Sequence, residues 1–224
     1  MRGWLLRLRD LVRLLITGHA GRVWRVVSHR LYSNCSSIGL RRDLTVPFPA
    51  PAAKLPIVVR PLIAGDDLTF LDLTAPGLSD DQMFERLGQR RILRSGLETC
   101  YVAVTPDGGP YFMEWLVLAS ANDRVRAFFG NLYPRLRADE ALLEGAYTVE
   151  AFRGQGIMAS AMTQMAARAA EAGVRWVITF VDETYPPAMK ASVRAGFQPY
   201  VRRVETYRLL RRRVAFIALD RIAS

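Results

Sequence analysis

A short stretch with two glycines and an arginine has the composition of a phosphate-binding loop. Arg153-Gly154-Gln155-Gly156 follows an apolar, β-prone run at 142–149 and precedes an alanine-rich helical pattern that starts at Ile157 and stops at Gly173. This order of strand, loop and helix directs unpaired backbone N–H groups and a helix N-terminus towards an anion. The glycines let the backbone approach a ligand closely, and the Arg153 guanidinium can bind a phosphate at two points. The stretch therefore predicts a phosphate-binding site.

The positions of histidine and cysteine restrict the chemistry of the main domain. His19 and His29 both precede residue 44, and Cys35 and Cys100 have neither metal-ligand nor disulfide-framework spacing. The sequence therefore excludes a Ser-His-Asp triad, a Cys-His pair and a histidine-rich metal site there, and we predict no metal. Unpaired cysteines indicate a reducing compartment. Proton transfer must then use carboxylates, tyrosines, backbone groups or water.

The elements that would position this loop follow the order βαα–ββ–β–α–β–α–ββ. This order indicates an α/β domain with a mixed sheet, antiparallel at the front and parallel at the centre, flanked by helices. Residues 120–140 form a long mixed connection, which we interpret as a wall or lid over a substrate. The predicted strands are 57–61, 97–104, 110–118, 142–149, 174–181, 197–201 and 204–210, and the predicted helices are 63–73, 79–94, 157–172 and one that starts at Pro186.

Charge divides the 224-residue chain further. Residues 1–43 carry nine arginines and two aspartates, +7 of the total charge of +10, and we predict a basic helical appendage there. Residues 44–56 contain four prolines, and we predict that they form a connector. We predict that residues 57–210 form the folded domain and that residues 211–224 form a basic tail. Helices within 1–32 could bind anionic lipid, pack on their own domain or on a second subunit, or act as a transit peptide, and these alternatives stay open.

Residues 57–210 resemble the GNAT superfamily of acyl-CoA-dependent N-acyltransferases. The acyl-CoA loop of that family has the form Arg/Gln-x-x-Gly-x-Gly/Ala, which Arg153 and Gly156 match, while Met158 replaces the last small residue. Gly196-Phe197 matches the closing Gly-Phe of the family. Tyr185 stands where the family often has an asparagine, and Ser192 stands where it usually has a tyrosine acid.

The resemblance implies an α/β, GNAT-like domain that moves an acetyl group from acetyl-CoA, the donor substrate, to the primary amine of a small molecule or amino sugar. From the cysteine usage and the basic N-terminal segment we expect a cytoplasmic protein, with binding to the inner membrane surface through residues 1–32 and a homodimer as open alternatives, and no specific nucleic-acid partner. The alternative hypotheses are that the enzyme uses a longer acyl donor, that its acceptor is a protein amine, or that the domain is degenerate and binds lipid or nucleic acid through its arginine-rich ends. Arginines and aromatic residues are not interleaved, which argues against single-stranded nucleic acid.

Candidate site residues follow from the loop and from the lack of histidine. We rank Glu144 first and Glu114 second as the base, against the alternative that Glu144 is a salt-bridged strand-end residue. As the proton donor to the thiolate we rank Tyr185 first, Ser192 second and Tyr147 third. The aromatic residues Tyr111, Phe112 and Trp115 could line an acceptor pocket or belong to the core. The residues expected to contact coenzyme A are Tyr147, Thr148, Val149, Arg153, Gly154, Gln155, Gly156, Ile157 and Met158.

Overall fold

The fold is an eight-stranded sheet with helices on both faces. The computed structural model describes residues 31–106 and 108–219. Its strands are β1 (Tyr32–Asp43), β2 (Val58–Pro61), β3 (Thr99–Val104), β4 (Pro110–Leu118), β5 (Glu140–Thr148), β6 (Trp176–Asp182), β7 (Gln198–Arg208) and β8 (Arg211–Ala218). Its α-helices are α1 (Asp80–Ser95), α2 (Asn122–Phe129), α3 (Ile157–Glu171) and α4 (Pro186–Arg194).

The sheet is mixed, and the parallel pair lies near its centre. The strand order is β2-β3-β4-β5-β6-β1-β7-β8. Strands β5 and β6 run parallel, joined through α3, and every other neighbouring pair within the described residues is antiparallel. The predicted mixed α/β sheet flanked by helices is therefore confirmed.

Two buried clusters lie on the two faces of the sheet. The alanine and methionine face of α3, with Met162, Met165 and Ala166, packs on one face with Phe112 and Leu143. The second cluster packs residues of α1 and α2 against the other face of β4 and β5. A capping box between Ser79 and Gln82 starts α1, as the Ser79-Asp80-Asp81 sequence predicts. No helix in the described part of the chain is long and apolar enough to cross a membrane.

The N-terminal boundary differs from the prediction. Residues 32–43, which we predicted within a helical appendage, form β1, and this strand pairs with β6 on one side and β7 on the other. Its first half is rich in serine and carries little hydrophobic alternation, so the two hydrogen-bond ladders decide its conformation. Gly39 allows these ladders to pack, because a Cβ there would lie 2.5 Å from Val201 Cγ1. Residues 1–30 of the predicted appendage lie outside the described residues.

Three other segments also differ from the prediction. Most of the predicted basic tail forms β8, which pairs along β7, and β7 itself is one continuous strand where we predicted a hairpin. The predicted helix at 63–73 is reduced to a 3-10 turn at Thr69–Leu71. The 44–56 connector has no regular secondary structure, yet it packs on the domain. The Phe48 ring lies close to Gly196, since a Cβ on Gly196 would be only 2.8 Å from Phe48 Cγ.

Candidate active site

A cleft opens where the two parallel strands separate. The β5–β6 pairing covers three residue pairs and ends at Leu142–Ile178. Beyond this pair the strands diverge, and a cavity of about 720 Å³ lies between β5, β6, α4 and the loop before α3. Because the free edge of β5 faces this cavity, its backbone N–H and C=O groups are available to an extended ligand.

A β-bulge shapes β5 at the wall of this cleft. Trp115 pairs with Glu144 and Met113 pairs with Tyr147, so two residues of β5, Gly145 and Ala146, oppose one residue of β4. Gly145 has φ +71°, and a Cβ there would lie 2.9 Å from both Ile92 Cδ1 and Trp115 Cε3. Glycine is therefore required for this bulge on both conformational and steric grounds.

The glycine loop has the geometry of an anion site. Gly154 and Gly156 have φ +75° and +79°, and Gly156 is the N-cap residue of α3. No side chain caps this helix start, so its first N–H groups have neither an intrahelical nor a side-chain capping partner, and Gly156 and Ile157 line the cleft. Residues of the 44–56 connector pack against the glycine loop. The Lys54 N–H donates to the Gln155 carbonyl at 2.8 Å, and a Cβ on Gly156 would lie 3.3 Å from the Ala52 carbonyl oxygen.

Arg153 is engaged with two partners. Its Nε donates to the Thr148 carbonyl at 3.0 Å, and its Nη2 donates to Glu85 Oε2 at 2.7 Å. Glu150 lies 3.9 Å from the same guanidinium. A phosphate at Arg153 would therefore compete with the Glu85 carboxylate for the same guanidinium.

Two further cationic side chains line the cleft, and we did not predict them from the sequence. Lys190 and Arg194 lie four residues apart on α4, on the same face as the cleft residues Pro187 and Ala191. The Arg194 guanidinium reaches the glycine loop, with Nη2 3.8 Å from the position of a Cβ on Gly156. The spacing 187, 190, 191, 194 defines one helix face and could have been read from the sequence. The contact between this face of α4 and the glycine loop, however, depends on tertiary packing.

Most of the residues predicted to contact coenzyme A do line the cleft. Two of the nine do not: the Val149 N–H donates to the Tyr111 carbonyl at 2.9 Å, and the Gln155 carbonyl accepts from Lys54. The aromatic residues Tyr111, Phe112 and Trp115 are each at most 1% exposed and belong to the core. The predicted residues at the cleft are Tyr147, Thr148, Arg153, Gly154, Gly156, Ile157 and Met158.

Glu144 lies inside the cleft in a polar cluster. Its Oε2 accepts a hydrogen bond from the Tyr133 hydroxyl, and the Arg203 guanidinium lies 5.4 Å from the Tyr133 ring. Burial raises the pKa of Glu144, and the lowering effects of the Tyr133 hydrogen bond and the Arg203 charge do not cancel this increase. A carboxylate with a raised pKa is a better proton acceptor than an exposed one.

A second carboxylate, Glu114, also lines the cleft. It is 1% exposed, and its Oε2 has no hydrogen-bond partner among the described residues. Burial first, and then the nearby charge of Glu144, raise the pKa of Glu114 well above its ordinary value. Two carboxyl groups in one low-dielectric site disfavour the ionisation of both at once, and the pKa values of Glu114 and Glu144 are accordingly both raised.

The three predicted acids differ in their access to the cleft. Tyr185 lines the cleft at the start of α4 and is 47% exposed. Tyr147 also lines it, but its ring stacks on Phe70 and its hydroxyl donates to Glu150 at 3.3 Å.

Ser192 is wrong as a cleft residue. It is fully buried and donates to the Ala188 carbonyl at 3.0 Å, because its position on α4 faces α3 rather than the opening. Its other neighbour is Met162 of α3, whose sulfur lies 3.9 Å from the Ser192 hydroxyl. Within residues 31–106 and 108–219, no cluster of three or more His, Cys, Asp or Glu side chains has a metal-binding arrangement.

Comparisons with protein-family models and with curated proteins give no match. Solved structures similar to this chain include an acetyltransferase of the GNAT family from Colwellia psychrerythraea, at 16% identity over 86% of this chain and 59% of that one, with a TM-score of 0.47. A GCN5-related N-acetyltransferase from Sphaerobacter thermophilus matches at 18% identity over 85% and 57%, also with a TM-score of 0.47. The chain thus spans less than two thirds of both structures.

A third similar structure is that of AAC(6')-Iy in complex with the bisubstrate analog CoA-S-monomethyl-acetylneamine. It matches at 16% identity over 64% of this chain and 92% of that one, with a TM-score of 0.39.

Proposed function

We propose that this chain is an acyl-CoA-dependent N-acyltransferase that moves an acetyl group from acetyl-CoA to the primary amine of a small molecule or amino sugar. One observation carries this proposal. A single cleft, opened by the separation of β5 and β6, is lined at one part by the uncapped glycine loop and at another by the carboxyl groups of Glu114 and Glu144. A loop suited to bind an anion and a carboxylate suited to accept a proton would thus share one cavity.

The basic part of the cleft fits the phosphates of coenzyme A. The N–H groups at Gly154–Gly156 and the start of α3 would bind the pyrophosphate, with Lys190 and Arg194 supplying charge. Arg153 would join them once a phosphate displaces Glu85. The pantetheine chain would lie along the free edge of β5 at residues 145–148 and pair with its backbone.

The carboxyl groups fit the chemistry of the acceptor. A primary amine is protonated at neutral pH, so Glu144 would accept its proton, directly or through water. The amine nitrogen then attacks the thioester carbonyl carbon, and a backbone N–H of β5 would stabilise the oxyanion. The carbon–sulfur bond breaks and the sulfur leaves with a proton from Tyr185. The nitrogen then loses its second proton, which returns to the Tyr185 phenolate directly or through water, and the products are an amide and free coenzyme A.

The alternatives from the sequence remain candidates of lower rank. A longer acyl donor or a protein amine would use the same cleft, whereas a degenerate domain gives no role to the buried carboxyl pair. Membrane binding by residues 1–32 and a homodimer are separate proposals.

Calorimetry with coenzyme A and an amine library assayed by thiol release from acetyl-CoA test the proposal. We expect saturable coenzyme binding and acetyl transfer to at least one amine. Glu144→Gln should keep coenzyme binding and lower turnover by roughly 100-fold or more. A chain that binds no coenzyme A at millimolar concentration is not an acyl-CoA enzyme, and full turnover by Glu144→Gln would remove Glu144 as the base.

A further inference from the structure

Three strands extend beyond the rest of the sheet. β6 ends at Asp182, opposite Ser37, whereas β1 continues to Tyr32, which pairs with Arg208, and Arg208 in turn pairs with Arg211. This extension is five residues long, or about 17 Å. The extension projects past the C-terminal end of β6, which is also the end at which the cleft opens.

The hairpin turn at the end of this extension has an unfavourable sequence. Leu209 and Leu210 both have positive φ, 48° and 68°, as the two central residues of a type I′ turn do. Such turns favour Asn and Gly, since a Cβ makes the left-handed conformation costly. Leu209 is 80% exposed and Leu210 is 64% exposed, so the two side chains also lose contact with the core.

These leucines belong to a larger exposed group, which we call the apolar tip: Leu31, Tyr32, Leu209 and Leu210. The Leu209 N–H donates to the Leu31 carbonyl at 2.9 Å, so the start of β1 and the turn lie side by side. Leu31 is 40% exposed and Tyr32 is 69% exposed. The Arg208 guanidinium stacks 3.8 Å from the centre of the Tyr32 ring.

Positive charge surrounds the apolar tip. The first three cross-strand rows contain Arg208, Arg211, Arg212 and Arg213, which we call the basic collar, and no acidic residue. The first carboxylate, Glu205, appears in the fourth row, opposite Val214, and lies 3.9 Å from the Arg212 guanidinium, so the exposed charge of the collar belongs mainly to Arg208, Arg211 and Arg213. Tyr32 and Tyr207 provide two aromatic rings within the same rows.

We propose that the apolar tip and the basic collar dock this protein on an anionic lipid bilayer. Leucine side chains gain hydrophobic free energy when they leave water and enter the boundary between headgroups and acyl chains. Tyrosine side chains are favourable at the level of the headgroups, and arginines attract anionic lipid. The collar would repel the same collar of a second copy, which disfavours a symmetric dimer through this surface. Because the cleft opens at the same edge of the sheet, docking would bring its mouth towards the membrane.

The sequence that precedes the apolar tip is also basic. Residues 1–30 join the tip at Leu31 and carry seven arginines against one aspartate. A segment of this charge is itself attracted to anionic lipid.

Sedimentation of the full chain with vesicles tests the proposal. We expect binding to vesicles of phosphatidylcholine with phosphatidylserine, weaker binding to phosphatidylcholine alone, and a decrease with salt. Leu209→Asn with Leu210→Gly should weaken partitioning by at least about tenfold, because two leucines no longer enter the interface. Asn-Gly suits the turn, so this variant should unfold at the same temperature as the parent or higher.

Ile63→Asn is the matched control, since Ile63 is 59% exposed on the far side of the sheet next to β2, and it should bind vesicles like the parent. Three outcomes would overturn the proposal: no binding to anionic vesicles, equal binding by the tip variant, or self-association in solution that the tip variant abolishes. Unchanged coenzyme A binding by the tip variant separates this result from a failure of the proposed acyltransferase function.

Discussion

The Tyr133 hydroxyl donates a hydrogen bond to Glu144 Oε2 inside the cleft, from the connection between α2 and β5. The Arg203 guanidinium covers Tyr133 and also donates to Ser37 Oγ at 2.9 Å, so a residue of β7 and one of β1 support the same cluster. The long connection that we interpreted as a wall therefore contributes a residue that positions the candidate base.

Tyr133→Phe removes the hydrogen bond that lowers the pKa of Glu144. The pKa of Glu144 should rise, so the acidic limb of the kcat/KM profile should move to higher pH while coenzyme A affinity stays constant. Tyr101→Phe on β3 is the control and should leave the profile in place. An unmoved acidic limb in Tyr133→Phe would show that this hydrogen bond does not tune the base.

Glu114→Gln should change how stability depends on pH. Burial and the charge of Glu144 raise the pKa of Glu114 in the folded state, while the unfolded chain ionises near 4.5. The unfolded state therefore gains stability from ionisation as pH rises above 4.5, and the parent loses unfolding free energy until the folded carboxyl also titrates. The stability difference, variant minus parent, should increase over this window in denaturant titrations. Glu171→Gln, at the exposed end of α3, is the control, and a difference that does not change with pH would contradict the prediction.

Arg194→Ala should weaken coenzyme A binding by about tenfold or more, because the cleft loses a charge beside the glycine loop. The loss should shrink as salt increases, which calorimetry at two ionic strengths would measure. Arg135→Ala is a suitable control, since its side chain is 74% exposed and pairs with Asp123 at 3.5 Å. Equal losses in the two variants would mean that only overall charge matters.

Glu85→Gln should strengthen coenzyme A binding severalfold, because it removes the carboxylate that occupies Arg153. The same substitution combined with Arg153→Ala should have no such effect. A weaker affinity in Glu85→Gln would indicate that this ion pair holds Arg153 in its binding position instead of competing with the phosphate.

Gly145→Ala should destabilise the fold by about 2–4 kcal/mol, since it forces a Cβ into the left-handed region and against Trp115. Denaturant titration measures this change. Gly88→Ala on α1 meets no atom within 4 Å and should stabilise the fold by up to about 1 kcal/mol. Similar effects at both sites would show that the bulge tolerates a side chain.

Elements that depend on interactions between near neighbours in the chain were predicted correctly from the sequence, whereas elements that depend on long-range contacts were not. The strand at 142–149, the loop at Gly154–Gly156 and the helix after Ile157 were predictable because hydrophobic periodicity and glycine punctuation act over a few residues. The β1 strand was not, since its serine-rich first half carries little pattern and gains its ladders from β6 and β7, more than 130 residues later. Ser192 was misplaced because its alignment with a family position says nothing about which face of α4 it occupies.

Local patterns in the chain predicted the mixed α/β order and the glycine loop before α3, and the positions of the two histidines left carboxylates among the candidate bases. The folded chain was needed to show where β5 and β6 separate, that Lys190 and Arg194 face the same cleft as the loop, that Tyr133 holds Glu144, and that two leucines lie at an exposed hairpin turn. Helix, strand and turn preferences depend on neighbouring residues, whereas strand register, cleft opening and burial depend on contacts between distant segments.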